Sequence, residues 1–215
     1  MDSKKSIKVQ NVSKYFGKQQ VLNGVDLECV EGKITGIVGR NGTGKTVLFK
    51  IICGLTEADE GEIWINGSKR KRAADVLSSA GIIIEEPAFL KNHTGIRNLE
   101  YLYRINNARN RPYLESIMQK VGLDAKSKKH VGKYSMGMRQ RLAIAQAIME
   151  NPDILILDEP FNRFDNQGVE EMRKLFLELK TQGKIILVAS HNSEDIRVLC
   201  DDVYNMDLGT LTPAG

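Results

Sequence analysis

At 215 residues, 41% hydrophobic and 27% charged, the chain has the composition of a globular protein, long enough to bury a core and too apolar to be disordered. Its net charge of +4 is spread among acids, and two basic runs, KRKR at 69–72 and KSKK at 126–129, lack interleaved aromatics; solvated loops are expected there rather than a nucleic-acid surface. No apolar run nears the ~18 residues of a membrane span, the N-terminus has no signal-peptide core, and Cys29, Cys53 and Cys200 lack metal-ligand spacing, so a soluble intracellular chain is expected.

Residues 7–12 alternate apolar and polar side chains, as a half-buried strand does, and Tyr15 and Phe16 follow just before Gly17. Val25, Leu27 and Cys29 set against Asp26 and Glu28 make a second rough alternation. Glu31 and Gly32 then turn the chain into a buried strand at 34–38. A small β-layer feeding a core strand is expected.

GRNGTGKT at 39–46 follows, between that strand and a run of helical character that includes Val47, Leu48, Ile51 and Ile52. Strand, glycine-rich loop and helix form the context of a phosphate-cradling loop. Gly39, Gly42 and Gly44 lack a Cβ, so the backbone can aim successive N–H groups inward and approach a polyphosphate closely. The helix N-terminus adds partial positive charge at the same point. Lys45 is expected to reach the β- and γ-phosphates, and the Thr46 hydroxyl to hold Mg²⁺.

The helix should run to about Cys53 and stop at Gly54. A strand at 62–65 closes on the hairpin signal Asn66-Gly67, and a short apolar strand at 81–84 ends at Glu85-Glu86-Pro87. From 98 to about 123 the period becomes helical, with one stripe of Leu99, Leu102, Tyr103 and Ile105 and another of Leu114, Ile117, Met118 and Val121. Pro112 suits a first turn and Gly122 a C-cap. The next helix lies within 134–149, with Ser135 as N-cap, and Asn151-Pro152-Asp153 breaks it.

Four aliphatic residues at 154–157 read as a strand buried on both faces that delivers Asp158 and Glu159 at its C-terminal end, where open α/β sheets bind ligands. Asp165 or Asn166 can cap the helix that follows. The strand at 185–189 delivers Ser190 and His191, and 203–209 reads as a short final hairpin. Beside a phosphate loop, Asp158 is placed to hold Mg²⁺ directly or through water, Glu159 to polarise the attacking water, and His191 to meet the γ-phosphate. The alternation of buried strands and helices gives an α/β fold with a mainly parallel sheet covered on both faces.

Along nearly its whole length the sequence resembles the ATP-binding cassette ATPases. GRNGTGKT resembles their Walker A loop, YSMGMRQR a variant of the LSGGQ signature, ILILDEP the Walker B strand with its catalytic Glu, FNRFDNQ the D-loop around Asp165, and ILVASH the switch-histidine strand. The resemblance implies a P-loop NTPase fold with an N-terminal antiparallel β-layer. A single domain would fill 1–215, with β-layer and core in 1–85 and 151–215 and a helical subdomain at about 86–150.

It further implies an ATP site on Gly39, Arg40, Asn41, Gly42, Thr43, Gly44, Lys45, Thr46 and Val47. Phe16 would stack on adenine, with Tyr15 as the alternative, and Mg²⁺ would sit on Thr46, Asp158 and Glu85. Glu159 and His191 would be catalytic. Two copies, most simply a homodimer, would pair head to tail, with Ser135 and Gly137 of each facing the ATP of the other.

Two departures stand out. Met136 and Met138 replace the usual Gly and Gln of the signature, and Glu85 replaces the Q-loop Gln, changes that bear on turnover rather than on ATP binding. The stretches IIIEEPAFLKNHTGIRNLEYL and YSMGMRQRLAIA are similar to the ATPase subunits of bacitracin and lantibiotic exporters. An integral-membrane permease partner on a separate chain, and a place on the inner face of the cell membrane, are therefore implied. The alternatives are a soluble ATPase acting on ribosomes or nucleic acid and a slow-turnover regulatory module. The sequence stops soon after its last expected hairpin, which leaves no accessory C-terminal region to expect.

Overall fold

A computed structural model describes residues 5–70, 77 and 80–214; Lys71 and Arg72 of the first basic run lie outside them. Strands β1 (Ser6–Phe16) and β2 (Gln19–Val30) form a long antiparallel hairpin, and β4 (Glu60–Ile65) and β5 (Ser68–Lys69) extend it in the order β2-β1-β4-β5. The second sheet runs β10-β9-β3-β8-β7-β6, from β3 (Ile34–Val38), β6 (Ala80–Ile83), β7 (Ile154–Asp158), β8 (Ile185–Ser190), β9 (Asp202–Asp207) and β10 (Thr210–Pro213). Strands β6, β7, β8, β3 and β9 are mutually parallel, and β10 turns back antiparallel on β9.

The sequence reading takes β9 and β10 as a hairpin alone. In the structure β9 also pairs with β3, from Thr35↔Asp202 to Val38↔Asn205, and so closes one flank of the strand that leads into the phosphate loop.

Core strands buried on both faces feed two hydrophobic layers with period two. Ile154, Ile156, Ile185, Leu187 and Ile37 point toward the first sheet and pack with Ile7, Val9 and Leu27 around Leu48, Phe49 and Ile52 of helix α1 (Lys45–Cys53). Leu155, Leu157, Ile186 and Val188 point the other way. They meet α2 (Gly95–Tyr103), α3 (Arg111–Lys120), α4 (Met136–Ile148), α5 (Asn166–Thr181) and α6 (Ser193–Leu199). Helices α2 to α4 thus share one continuous core with the parallel sheet.

Helix ends follow local chemistry. Gly54 at φ 81 donates its N–H to the Ile51 and Lys50 carbonyls and ends α1, and Gly122 at φ 72 follows the end of α3. Asp165, rather than Asn166, caps α5 by accepting the Gly168 N–H at 2.8 Å. Helix α2 begins at Gly95, earlier than the periodicity indicates, because Thr94 serves as N-cap and Asn98 is turned inward. The Asn98 side chain accepts the Leu90 N–H at 2.7 Å and donates to the Leu90 and Thr94 carbonyls. Ile105, expected on the stripe of this helix, lies beyond its end and is 73% exposed.

Candidate nucleotide site

The loop from Gly39 to Gly44 leaves the C-terminal end of β3 and enters α1. Two of its glycines are fixed by contact as well as by backbone. A Cβ on Gly39 would stand 2.5 Å from the Met206 carbonyl oxygen and 2.8 Å from Thr43 Oγ1; one on Gly44, at φ 111, would stand 2.9 Å from Leu22 Cδ2 and from the Val21 carbonyl. The loop is therefore seated between β2 and β9. Its carbonyl at Thr43 accepts the Gly209 N–H at 3.2 Å, and the Gly209 carbonyl accepts the Asn23 N–H at 2.9 Å.

Lys45 is 5% exposed, and its ammonium donates to the Gly39 and Arg40 carbonyls at 2.6 and 3.0 Å. Thr46 Oγ1 donates to Asp158 Oδ2 at 2.6 Å. Burial, ahead of any other cause, raises the Asp158 carboxyl above its ordinary value; the Thr46 hydrogen bond opposes this and the neighbouring Glu159 charge adds to it. A buried carboxylate beside a hydroxyl is a hard oxygen pair, suited to Mg²⁺.

Glu159 follows at φ 51, in the left-handed region, with its N–H fixed on the Ala189 carbonyl at 2.8 Å. That backbone turns its carboxylate toward the end of β8. There it accepts the His191 N–H at 3.0 Å and the Ser190 hydroxyl at 3.2 Å, and lies 3.0 Å from His191 Nδ1 and 3.8 Å from the Lys45 ammonium.

Lys45, Thr46, Asp158 and Glu159 line one cavity of about 280 Å³ with Asn41, Gly42, Gly44, Val47 and Val21. His191 joins it through Glu159. Gly39, Arg40 and Thr43 form the loop behind it.

Other expected site residues stand apart. Phe16, 52% exposed, ends β1 with the Lys14 ammonium 5.5 Å over its ring, in the hairpin whose other strand supplies Val21; Tyr15 is 39% exposed and donates its N–H to Asp59 at 2.6 Å. Ser135 caps α4, accepting the Met138 N–H at 3.2 Å, and Gly137 occupies its first turn beside the Arg163 carbonyl. Glu85, at φ 64, adds its charge to those that raise the Asp158 carboxyl. Its carboxylate pairs with Lys50 at 2.5 Å, one turn further along α1 than Thr46. A carboxylate, unlike a carboxamide, finds a full counter-charge on that helix.

Val21 and Ser190 were not anticipated. Val21 gives no signal within its own strand, whereas Ser190 could have been found as the hydroxyl closing a wholly buried strand immediately before His191.

The family profile described as ABC transporter matches residues 22–162. The chain belongs to that family. YybJ of Bacillus subtilis (strain 168), an uncharacterized ABC transporter ATP-binding protein, is 40% identical over 206 residues, which cover 95% of this chain and 94% of YybJ. The bacitracin transport ATP-binding protein BcrA of Enterococcus faecalis is 37% identical over 95% of this chain and 67% of its own length. The lantibiotic transport ATP-binding protein SrtF of Streptococcus pyogenes is 35% identical over 91% of this chain and 84% of its own. A bacterial ABC transporter cassette solved as a dimer superposes with a TM-score of 0.85 at 25% identity, covering 95% of this chain and 96% of that one.

The ABC cassette described here is thus an ATP-binding, ATP-hydrolysing motor subunit of the transporter type. Among its described residues no helix is long and apolar enough to cross a membrane.

Proposed function

We propose that this cassette drives a membrane permease on a separate chain, exporting a peptide antibiotic or similar compound, and that it works as a head-to-tail homodimer on the inner face of the cell membrane. The observation that carries the reading is the convergence of Lys45, Thr46, Asp158 and Glu159 on one cavity, from the ends of β3 and β7, two parallel strands that flank β8. The choice of cargo rests on the likeness to bacitracin and lantibiotic transport subunits.

In this reading the loop amides of 39–44 and the α1 N-terminus hold the β- and γ-phosphates of ATP. The Lys45 ammonium exchanges its two carbonyl partners for phosphate oxygens. Thr46 Oγ1 and the Asp158 carboxylate would hold Mg²⁺, which would supply neutralisation of phosphate charge. Glu159 accepts a proton from the water that attacks the γ-phosphorus, while Ser190 and His191 fix the direction of its carboxylate. Ser135 and Gly137 of the second copy close over the γ-phosphate, and Phe16 packs on the adenine. The helical segment at 86–150 acts as the subdomain that meets the permease, and Glu85, paired with Lys50 on α1, carries its movement to the site.

The test is a Glu159→Gln variant purified from detergent-solubilised membranes. Turnover should fall by about 10²- to 10⁴-fold with ATP binding retained, and a multi-span membrane protein should accompany the variant. Ribosomal proteins in its place, or a variant as fast as the parent, would overturn the reading.

A further inference from the structure

A second concavity, about 730 Å³ in volume, opens between α2, the loop into α3 and the segment around His130. It shares no lining residue with the nucleotide cavity. Its wall carries Arg97, Arg104, Arg109 and Arg111 against one carboxylate, Glu100, among the described residues.

These arginines are unequally matched. Arg111 lies 3.1 Å from Glu100 and 2.9 Å from Glu115, so its charge is met. Arg97 donates Nε to the Tyr101 hydroxyl at 2.8 Å, lays its guanidinium 5.5 Å over that ring and feels the Glu100 charge, which it shares with Arg111. Arg104 and Arg109 have no ion pair among the described residues. Four guanidinium groups thus border one concavity against the single lining carboxylate of Glu100, two of them, Arg104 and Arg109, unopposed, and a cleft with such a surplus of one sign focuses its field on a counter-ion.

Three further features belong to the same wall. His93 Nδ1 is buried with no hydrogen-bond partner, which leaves a desolvated polar atom in place. Thr94, the N-cap of the nine-residue α2, lines the groove and makes no side-chain cap bond. The basic run at 126–129 leads directly into His130, which bridges to Thr94.

We propose that this groove binds a phosphate-bearing anion. A phosphate dianion offers several acceptor oxygens to planar guanidinium forks and meets the surplus charge more fully than a single carboxylate. The phosphate belongs either to a small soluble compound or to a lipid headgroup.

Histidine imidazole resonances of the full chain provide the test, because two of its three histidines line the groove and His191 reports on the nucleotide cavity. With that cavity saturated by a non-hydrolysable ATP analogue, inorganic phosphate added at constant ionic strength should move His93 and His130 and leave His191 in place. The exposed pair Arg104→Glu/Arg109→Glu should weaken the response at least about tenfold, while the analogue still shifts His191 and so certifies the fold. Flotation of the parent, but not the variant, with phosphatidylglycerol vesicles assigns the site to lipid; a response to phosphate without flotation assigns it to a soluble ligand. The proposal is overturned if neither probe acts on the groove, or if parent and variant respond alike.

Discussion

Glu159 combines a backbone conformation costing about 1–3 kcal/mol in a non-glycine residue with a carboxylate held from three sides. Such an outlier at a strand end matters for direction: it points the carboxylate across to β8. Ser190→Ala removes one of its donors and leaves the phosphate loop untouched. Its kcat should fall about tenfold or more with little change in ATP affinity, since a hydrogen bond to a charged group is worth about 1.5–3 kcal/mol. Single-turnover and equilibrium nucleotide binding measurements separate the two quantities.

Glu85 is a different case. Its pair with Lys50 is exposed, so Glu85→Gln should shift stability by less than about 1 kcal/mol in urea unfolding. Its effect belongs in the metal dependence of turnover, which would change if the side chain leaves Lys50 for the site. The phosphate loop, Asp158 and Glu159 were legible because each sits at the end of a short apolar run, where position follows from pattern. The Glu85–Lys50 and Ser190–Glu159 contacts were not, because they join residues far apart in sequence and depend on which strands become neighbours.

At the scale of elements, β6 and α4 meet backbone to backbone at Gly81, where a Cβ would come within 1.9 Å of the Ala147 carbonyl. Gly81→Ala must push the two apart. We expect it to cost about 1–3 kcal/mol or more, read as a lower urea midpoint, and to move α4 and with it Ser135.

The β3, α5 and α6 elements are tied through Asp201. Burial pushes the Asp201 carboxyl up, but the Ile34 N–H at 2.8 Å and the Lys180 ammonium outweigh burial and hold it below the ordinary carboxylate value. A depressed folded-state value means that this stabilisation is fully present above about pH 4 and is lost as the pH falls below it. Asp201→Asn should therefore be less stable than the parent at pH 7 and show a shallower loss of stability between about pH 4 and 2. Elements with strong patterns, the long periodic α5 and the uninterrupted apolar run of β8, were readable in the sequence. The seven-residue α6 was not, because so short a helix is held by its Asn192 cap and by packing rather than by periodicity.

At the scale of the whole molecule, the two hydrophobic layers share the parallel sheet as their common wall, and the nucleotide cavity lies at the end of that wall. Ser135 and Gly137 do not line that cavity in their own chain; in the proposed pairing they meet the nucleotide of the second copy. Light scattering of the Glu159→Gln variant should show its mass double with ATP and revert with ADP; Ser135→Ala, which costs the α4 cap about 1 kcal/mol, should also weaken that pairing. The fold class was plain from buried strands alternating with helices. The order of the strands was less so: β9 reads as half of a surface hairpin, and only its placement beside β3 shows it to be part of the sheet.

That placement bears on when the site comes into being. Strand β3 and its glycine loop are made early, yet both neighbours of β3 are made late, and the loop rests on Met206 and is clasped by Gly209. A ribosome must have delivered nearly all of the described chain before the first-made binding motif has a floor to rest on. Capture of nucleotide then waits on β9, and a chain truncated before β9 would carry an intact Walker sequence with nothing to shape it.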